Sequence, residues 1–314
     1  MMKFLVIGHL CVDSFGNEPA PTTSGLERGR RWGGVFFSLA TLANLAEDAV
    51  IYPVFGVGTA EYEQLLMRLR HYSNVDPSGI FEIRGPSNEV SLFYENEKRR
   101  IECSKNIAPP IPFERIEPYL NADAILVNMI SGFDLTLETL TALRMHSQEI
   151  HTLLHLDLHS LTLGIDEQNR RFRRPVEAWR RWCYLADTVQ MNEEEAKALS
   201  LESLSEEDLA KQILSLGLQA FVLTRGPQGV TTWRQIQKKF SRDDFLAVPV
   251  DQAVDPTGCG DVFAAAFCYS FAHYRDAAKA AQFASRVAAI NVRYTGSDEI
   301  DSISQMRKAV VIAK

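Results

Sequence analysis

The chain has 314 residues and a net charge of −7, from 33 basic against 40 acidic side chains. That length holds one large domain or two small ones, and the acidic balance argues against nucleic acid as the main partner. Hydrophobic residues make up 46%, enough for a large buried core. The five cysteines (Cys11, Cys103, Cys183, Cys259 and Cys268) are odd in number and show no C-x-x-C spacing, so neither a disulfide framework nor a zinc site is indicated; reduced thiols in a cytoplasm fit best. No apolar run approaches the length of a membrane span, and Met1 to Gly8 leads straight into a strand pattern, not a signal peptide.

Phe4-Leu5-Val6-Ile7 reads as a strand buried on both faces. His9 to Asp13 then leave it, which sets Asp13 just beyond its carboxyl end, as a ligand contact or as a turn-forming residue. Residues 14–32 are polar and rich in Gly, Pro and Thr, and read as loop or edge strand. Gly33-Gly34 opens an apolar helix over 35–46. Val50 to Gly58 is the second strand, in which Pro53 points to an edge or an irregularity, and Glu61 to Tyr72 is helical. Residues 80–104 change character: their alternation predicts a hairpin with one wet face, turning at Asn96-Glu97-Lys98, and this reads as a lid built on the main sheet. From Ala108 onwards strand and helix alternate, with strands at 124–128, 152–157, 188–192 and 220–224 and helices at 135–145 and 193–199. This pattern implies a mainly parallel sheet covered on both faces. Polar residues recur at strand ends (Asp13, Asn128, Asp157, Asn192, Thr224), as a ligand crevice along the carboxyl edge requires. The basic run at 170–181 reads as a solvated helix and its approach.

The stretch with most chemical content is Val254-Asp255-Pro256-Thr257-Gly258-Cys259-Gly260-Asp261, followed by the alanine-rich run 264–266. Asp-Pro-Thr-Gly is a tight turn, and the glycines lead it into a helix N-terminus. Unpaired N–H groups and the positive end of the helix dipole converge there, which suits a phosphate. Asp261 at the loop exit either takes a proton or caps the helix, and spacing alone leaves the two readings equal.

Several motifs then line up in order. Asp255-Pro256-Thr257-Gly258-Cys259-Gly260-Asp261 is similar to the signature of the ribokinase-like (PfkB) family of carbohydrate and nucleoside kinases. Asn192-x-x-Glu195 and Thr224-Arg225-Gly226-x-x-Gly229 resemble two further motifs of that family, and Asp13 with Gly33-Gly34 matches its sugar-binding half. The resemblance spans essentially the whole chain. It implies an α/β fold of three layers (α/β/α), with a mainly parallel central sheet and a small β lid formed by about 14–32 and 80–104, all in one domain over 1–314. It also implies ATP and Mg²⁺ as cofactors and a small sugar, polyol or nucleoside as substrate, with neither nucleic acid nor membrane as partner, a cytoplasmic setting, and a homodimer contact through the lid. Asp261 would be the general base, and Gly258, Cys259 and Gly260 the anion hole. Asn192 and Glu195 would organise Mg²⁺ and phosphate, partly through water, while Thr224, Gly226 and Gly229 would line the nucleotide site. Asp13, Gly33, Gly34, Ser38 and Asn128 would face the substrate. Some relatives also bind a monovalent cation near the Asp255 turn and Thr295-Gly296-Ser297.

Three features depart from the family pattern. Phe36, Phe37 and Ser38 stand where many members place a sugar-contacting Asn. Cys259 replaces the usual Ala. Asp157 is followed by Leu158-His159-Ser160, not by Asn-x-Arg, so the phosphate-side Arg of some members is missing. The rival readings are a catalytically weak relative that senses a sugar or nucleotide, and a dinucleotide-dependent oxidoreductase, against which Gly8-His9-Leu10-Cys11 lacks the glycine spacing.

Overall fold

Short apolar runs build the centre of the molecule. The computed structural model describes residues 1–15, 29–96, 99–236 and 239–307. In chain order the strands are β1 (Lys3–Ile7), β2 (Leu10–Phe15), β3 (Arg30–Gly34), β4 (Val50–Gly58), β5 (Ile80–Ile83), β6 (Asn88–Asn96), β7 (Arg99–Lys105), β8 (Ala124–Asn128), β9 (Leu153–Asp157), β10 (Leu163–Ile165), β11 (Arg171–Arg173), β12 (Thr188–Asn192), β13 (Ala220–Thr224), β14 (Val230–Ile236) and β15 (Lys239–Phe245). The helices are α1 (Val35–Leu45), α2 (Tyr62–Leu69), α3 (Phe113–Ile116), α4 (Leu137–Glu149), α5 (Trp179–Tyr184), α6 (Glu193–Ala198), α7 (Glu206–Ser215), α8 (Cys259–Tyr274) and α9 (Ala277–Asn291).

Nine strands form one sheet in the order β15-β14-β13-β12-β9-β8-β1-β4-β5. From β13 to β5 every neighbouring pair is parallel, and β14 and β15 close one side antiparallel. Phe4 to Ile7 and Ala124 to Asn128 are buried on both faces, because helices cover the sheet on either side. Hence these strands read as continuous apolar runs, and the expected three-layer α/β/α architecture holds. In one helical layer α8 packs against α1 and α9 and over β8 and β9. Among the described residues no helix is long and apolar enough to cross a membrane.

A second, four-stranded sheet in the order β3-β2-β6-β7 forms the small β lid. Its composition corrects the expected one. Residues 80–83 belong to the main sheet, where β5 pairs with β4 from Phe55–Ile80 to Gly58–Ile83. One dry and one wet face is as true of an edge strand, with Ile80 buried and Glu82 exposed, as of a lid. The lid hairpin is β6–β7. Asp13 lies inside the lid strand β2, not in a turn beyond β1, because the chain passes through Gly8-His9 directly into β2, which pairs with β3 and β6. Of the expected lid segment 14–32, residues 16–28 lie outside the described residues, as do 97–98 of the expected hairpin turn. Pro53 is in an interior strand, but β5 joins β4 only from Phe55, so the proline precedes the paired stretch.

The basic run divides. Arg171 and Arg173 sit on the short β10–β11 hairpin and donate to Ser131 O (2.5 Å) and Thr162 Oγ1 (2.8 Å). Arg180 on α5 meets Glu202 and Gln212 at the surface.

His155 on β9 is fully buried against Phe267, with Nδ1 2.8 Å from Thr188 Oγ1. Burial pushes its pKa down to about 3. The unfolded chain takes up a proton near pH 6.5 that the folded protein refuses, so stability falls as pH drops from about 6.5 towards 3. At pH 5 this costs about 2 kcal/mol. The urea midpoint of His155→Leu should therefore fall less between pH 7 and pH 5 than that of the wild type; equal slopes would show that His155 is not held neutral.

Candidate active site

Parallel strands bring their carboxyl ends to one edge, and the registers align the polar residues there. Asn128 pairs with Asp157, Asp157 with Gln190, and Asn192 with Thr224. The turn before α8 is stitched to this edge. Asp255 accepts from Thr257 N and from Gly296 N, both at 2.9 Å, and Asn291 Nδ2 donates to Thr257 O at 3.0 Å. Gly258 caps α8 at φ 75, and a side chain there would strike the Phe37 ring, so this position requires glycine twice over. Phe37, in the place of a sugar contact, thus forms the floor of the loop. Cys259 N donates to Pro256 O at 3.1 Å and its Sγ lies towards Ala288 O and Asn291. Among the described residues the N–H groups of Gly258 and Gly260 have no acceptor, and the space beside the Gly260 Cα is open. Gln190 Nε2 bridges Asp157 Oδ2 (3.3 Å) and Gly260 O (3.1 Å).

Asp261, in the first turn of α8, is 5% exposed. Its Oδ1 accepts from Asn128 Nδ2 at 2.8 Å. Ser38 Oγ accepts from the same amide at 3.1 Å and donates to Asp261 O at 3.2 Å. Asn128, expected on the substrate, thus also donates to the Asp261 carboxylate, and Ser38, expected there too, bonds that amide and the Asp261 carbonyl. His159 Nε2 lies 3.7 Å from Asp261 Oδ1. Burial raises the pKa of Asp261, against the pull of His159 and Asn128. Burial likewise raises Asp157 and Glu195. Burial alone would lower the pKa of His159, but Asp261, Asp157 and Glu195 outweigh it and push the imidazole up to about 9.

Asn192 and Glu195 form a reciprocal cap on α6: Asn192 N and Nδ2 donate to the Glu195 carboxylate at 2.8 and 2.6 Å, and Glu195 N donates to Asn192 Oδ1 at 2.9 Å. Glu195 retains lone pairs on both oxygens. Among the described residues no three His, Cys, Asp or Glu form a metal cage. A hard cation such as Mg²⁺, which keeps several waters and takes one or two carboxylates beside phosphates, nevertheless suits the excess charge of Asp157, Glu195 and Asp261. Thr224 ends β13 next to Asn192, and Gly226 and Gly229 turn the chain, with Arg225 N donating to Gly229 O at 2.8 Å. The Arg225 guanidinium is ion-paired to Glu193 and Glu206.

On the lid side, Asp13 is 6% exposed and its carboxylate occupies the space where Gly33 would carry a side chain. Gly34 caps α1, and Val35 N donates to His9 O at 3.0 Å. Cys11 on β2 is within electrostatic reach of both Asp13 and Asp261. The lid is fastened to the loop beside the signature turn: Arg31 Nε meets Asp298 Oδ2 at 2.7 Å, and Ser297 Oγ donates to Trp32 O at 2.6 Å. His159 and Gln190 are the residues that reading the motifs misses. Both lie within two positions of a strand-end residue, His159 after Asp157 and Gln190 before Asn192, which is the signal that could have found them.

Residues 165–303 match the family model described as pfkB family carbohydrate kinase. No curated protein matches the sequence. Among solved structures the chain is similar to ribokinase from Thermotoga maritima, at 19% identity over 98% of this chain and 99% of that one, with a TM-score of 0.73. It is similar to Arabidopsis thaliana ribokinase complexed with ribose and ATP, at 17% identity over 98% and 99%, with a TM-score of 0.70. A pyrophosphate-dependent kinase in the ribokinase family, complexed with a pyrophosphate analog and myo-inositol, matches at 17% identity over 94% and 96%, with a TM-score of 0.70. At these identities the likeness is one of fold. Residues 165–303 thus match the pfkB carbohydrate kinase model, and the chain as a whole shares the fold of the ribokinases.

Proposed function

We propose that this protein transfers the terminal phosphoryl group of ATP to a hydroxyl of a small sugar, polyol or nucleoside. The observation that carries the reading is a buried carboxylate, Asp261, pinned by Asn128 at the start of a long helix whose Gly258 and Gly260 N–H groups are uncommitted among the described residues. The family match spans the segment that holds this loop and Thr224-Arg225-Gly226, and a neighbour of the same fold binds ribose and ATP.

In this reading Asp261 accepts the proton of the acceptor hydroxyl as its oxygen bonds to phosphorus and the bond to the leaving ADP oxygen breaks. An ordinary carboxylate suffices, because that hydroxyl becomes acidic only as the new bond forms. Gly258 and Gly260 direct N–H groups at the phosphoryl oxygens, with the α8 dipole behind them. Cys259 would join them on giving up its bond to Pro256 O. Asp13 accepts two acceptor hydroxyls from the lid side, with Gly33 leaving it room. Thr224, Gly226 and Gly229 line the donor site, and Asn192 and Glu195 hold the water shell of Mg²⁺. That ion would supply charge neutralisation at the donor phosphates. The lid sheet over the cleft keeps water from acting as acceptor.

A coupled ADP-release assay across sugars, inositols and nucleosides tests the reading; no release with any of them would reject it. Asp261→Asn should lower kcat by about 10³-fold or more. Its melting temperature should not fall, since the change removes a buried charge and leaves an acceptor for Asn128. Asn128→Ala should lower kcat by about 10- to 100-fold through loss of carboxylate orientation, with the KM for ATP unchanged. As the base must be ionised and burial raises its pKa, kcat/KM should fall on acidification with a limb above the ordinary carboxylate range. A pH–rate profile flat down to about pH 4, the ordinary carboxylate value, would place the base elsewhere.

A further inference from the structure

We propose that Arg225 is a positioning residue for the phosphoryl donor: it holds and neutralises the Glu193 carboxylate at the point where the donor turn meets the Asn192–Glu195 cap, and so sets the affinity for the donor. The proposal rests on the kinase reading above, which assigns donor and Mg²⁺ to these two elements.

Arg225 and Glu193 leave the sheet side by side. Asn192 and Thr224 are register partners on β12 and β13, so the next residue of each strand starts its loop at the same edge. All three guanidinium nitrogens are engaged, each by a different element. Nη1 donates to Glu193 at the start of α6, Nη2 to Glu206 Oε1 at the start of α7 (2.6 Å), and Nε to Thr231 Oγ1 on β14 (3.2 Å). Thr231 Oγ1 donates in turn to Asp244 Oδ1 on β15 at 2.6 Å, and Arg242 Nε holds Asp244 at 2.8 Å. The Arg225 side chain is 15% exposed, against 35% for Glu193 and 31% for Glu206, so the guanidinium lies beneath the carboxylates it binds. A three-point, charge-assisted site of this kind is stronger than a single pair at the surface.

The charge of α6 gives the contact its purpose. The helix opens with Glu193-Glu194-Glu195. A helix N-terminus tolerates three carboxylates, but a polyphosphate brought beside them is repelled. Each of the three has its own partner. Glu195 is folded into the cap with Asn192, Glu194 Oε1 meets Lys197 Nζ at 3.3 Å, and Glu193 is taken by Arg225. Of these partners only Arg225 belongs to the donor loop. The turn that follows it closes on itself: Arg225 N donates to Gly229 O, Gln228 N to Arg225 O and Gly229 N to Gly226 O. Without Arg225 the Glu193 charge stands uncovered between this turn and the metal cap.

Three variants decide it. Arg225→Gln uncovers the charge and should raise the KM for Mg·ATP about tenfold or more, with kcat and the acceptor KM within about threefold. Adding Glu193→Gln to it removes the uncovered charge and should lower that KM again by at least about threefold. Glu193→Gln alone keeps an acceptor for Arg225, so the donor KM should fall or stay within about twofold of wild type; this arm stands even if Arg225→Gln does not fold. A wild-type donor KM in Arg225→Gln, an equal loss in kcat and both KM values, no recovery in the double variant, or a donor KM raised by Glu193→Gln alone would each overturn the proposal. Calorimetric titration with Mg·ADP reads the same order of affinities without turnover. If the protein transfers no phosphoryl group to any acceptor, the kinase reading fails and that order alone decides the role of Arg225; a wild type that does not bind Mg·ADP overturns it.

Discussion

The architecture of the cleft follows from one electrostatic constraint, the burial of Asp261 at the mouth of α8. A carboxylate that is 5% exposed resists ionisation, and an ionised one needs donors and a counter-charge. The fold supplies both from separate elements. Asn128 at the end of β8 gives an N–H at 2.8 Å, Ser38 on α1 holds that amide and the Asp261 carbonyl, and His159 after β9 supplies positive charge at 3.7 Å. Each of these residues is placed by an element whose own formation is dictated elsewhere: β8 and β9 by apolar runs buried on both faces, α1 by its uniformly buried surface.

The same constraint explains why the loop before α8 is tied in so many places. A helix N-terminus stabilises an anion only if its free N–H groups are aimed and held. Asp255 ties Thr257 to Gly296, Asn291 ties Thr257 to α9, and Gln190 ties Gly260 to Asp157. The loop at 296–298 then reaches the lid through Arg31 and Trp32. Lid and signature loop are thereby linked by a short chain of hydrogen bonds.

Much of this is legible in the residues. The buried strands appear as apolar runs because parallel sheets hide both faces, and the signature loop is visible because glycine, proline and a carboxylate at fixed spacing admit few backbone paths. The parts that escape a reading of the residues share a cause. β2 is a lid strand only because it pairs with β3 and β6, distant partners that no local pattern reveals. β5 passes for lid because an edge strand and a lid strand alternate alike. β15 carries charge on both faces, with Arg242 and Asp243 adjacent in an extended chain, and so shows no apolar period. His159 is a single histidine in a turn, and its importance comes from carboxylates that α6, α8 and the lid bring towards it. The hydrogen bonds of Ser38 and of the Asn128 amide nitrogen to Asp261 are set by side-chain direction and are invisible in spacing.

If the cleft works as a kinase site, the N-terminus of α8 receives the terminal phosphate of the donor beside Asp261. The most direct measurement is a crystal structure of the protein with Mg²⁺ and a non-hydrolysable ATP analogue. The expected result is γ-phosphate oxygens within about 3 Å of the Gly258 or Gly260 nitrogen. A γ-phosphate bound away from this loop, with Gly258 and Gly260 still facing solvent, would contradict it.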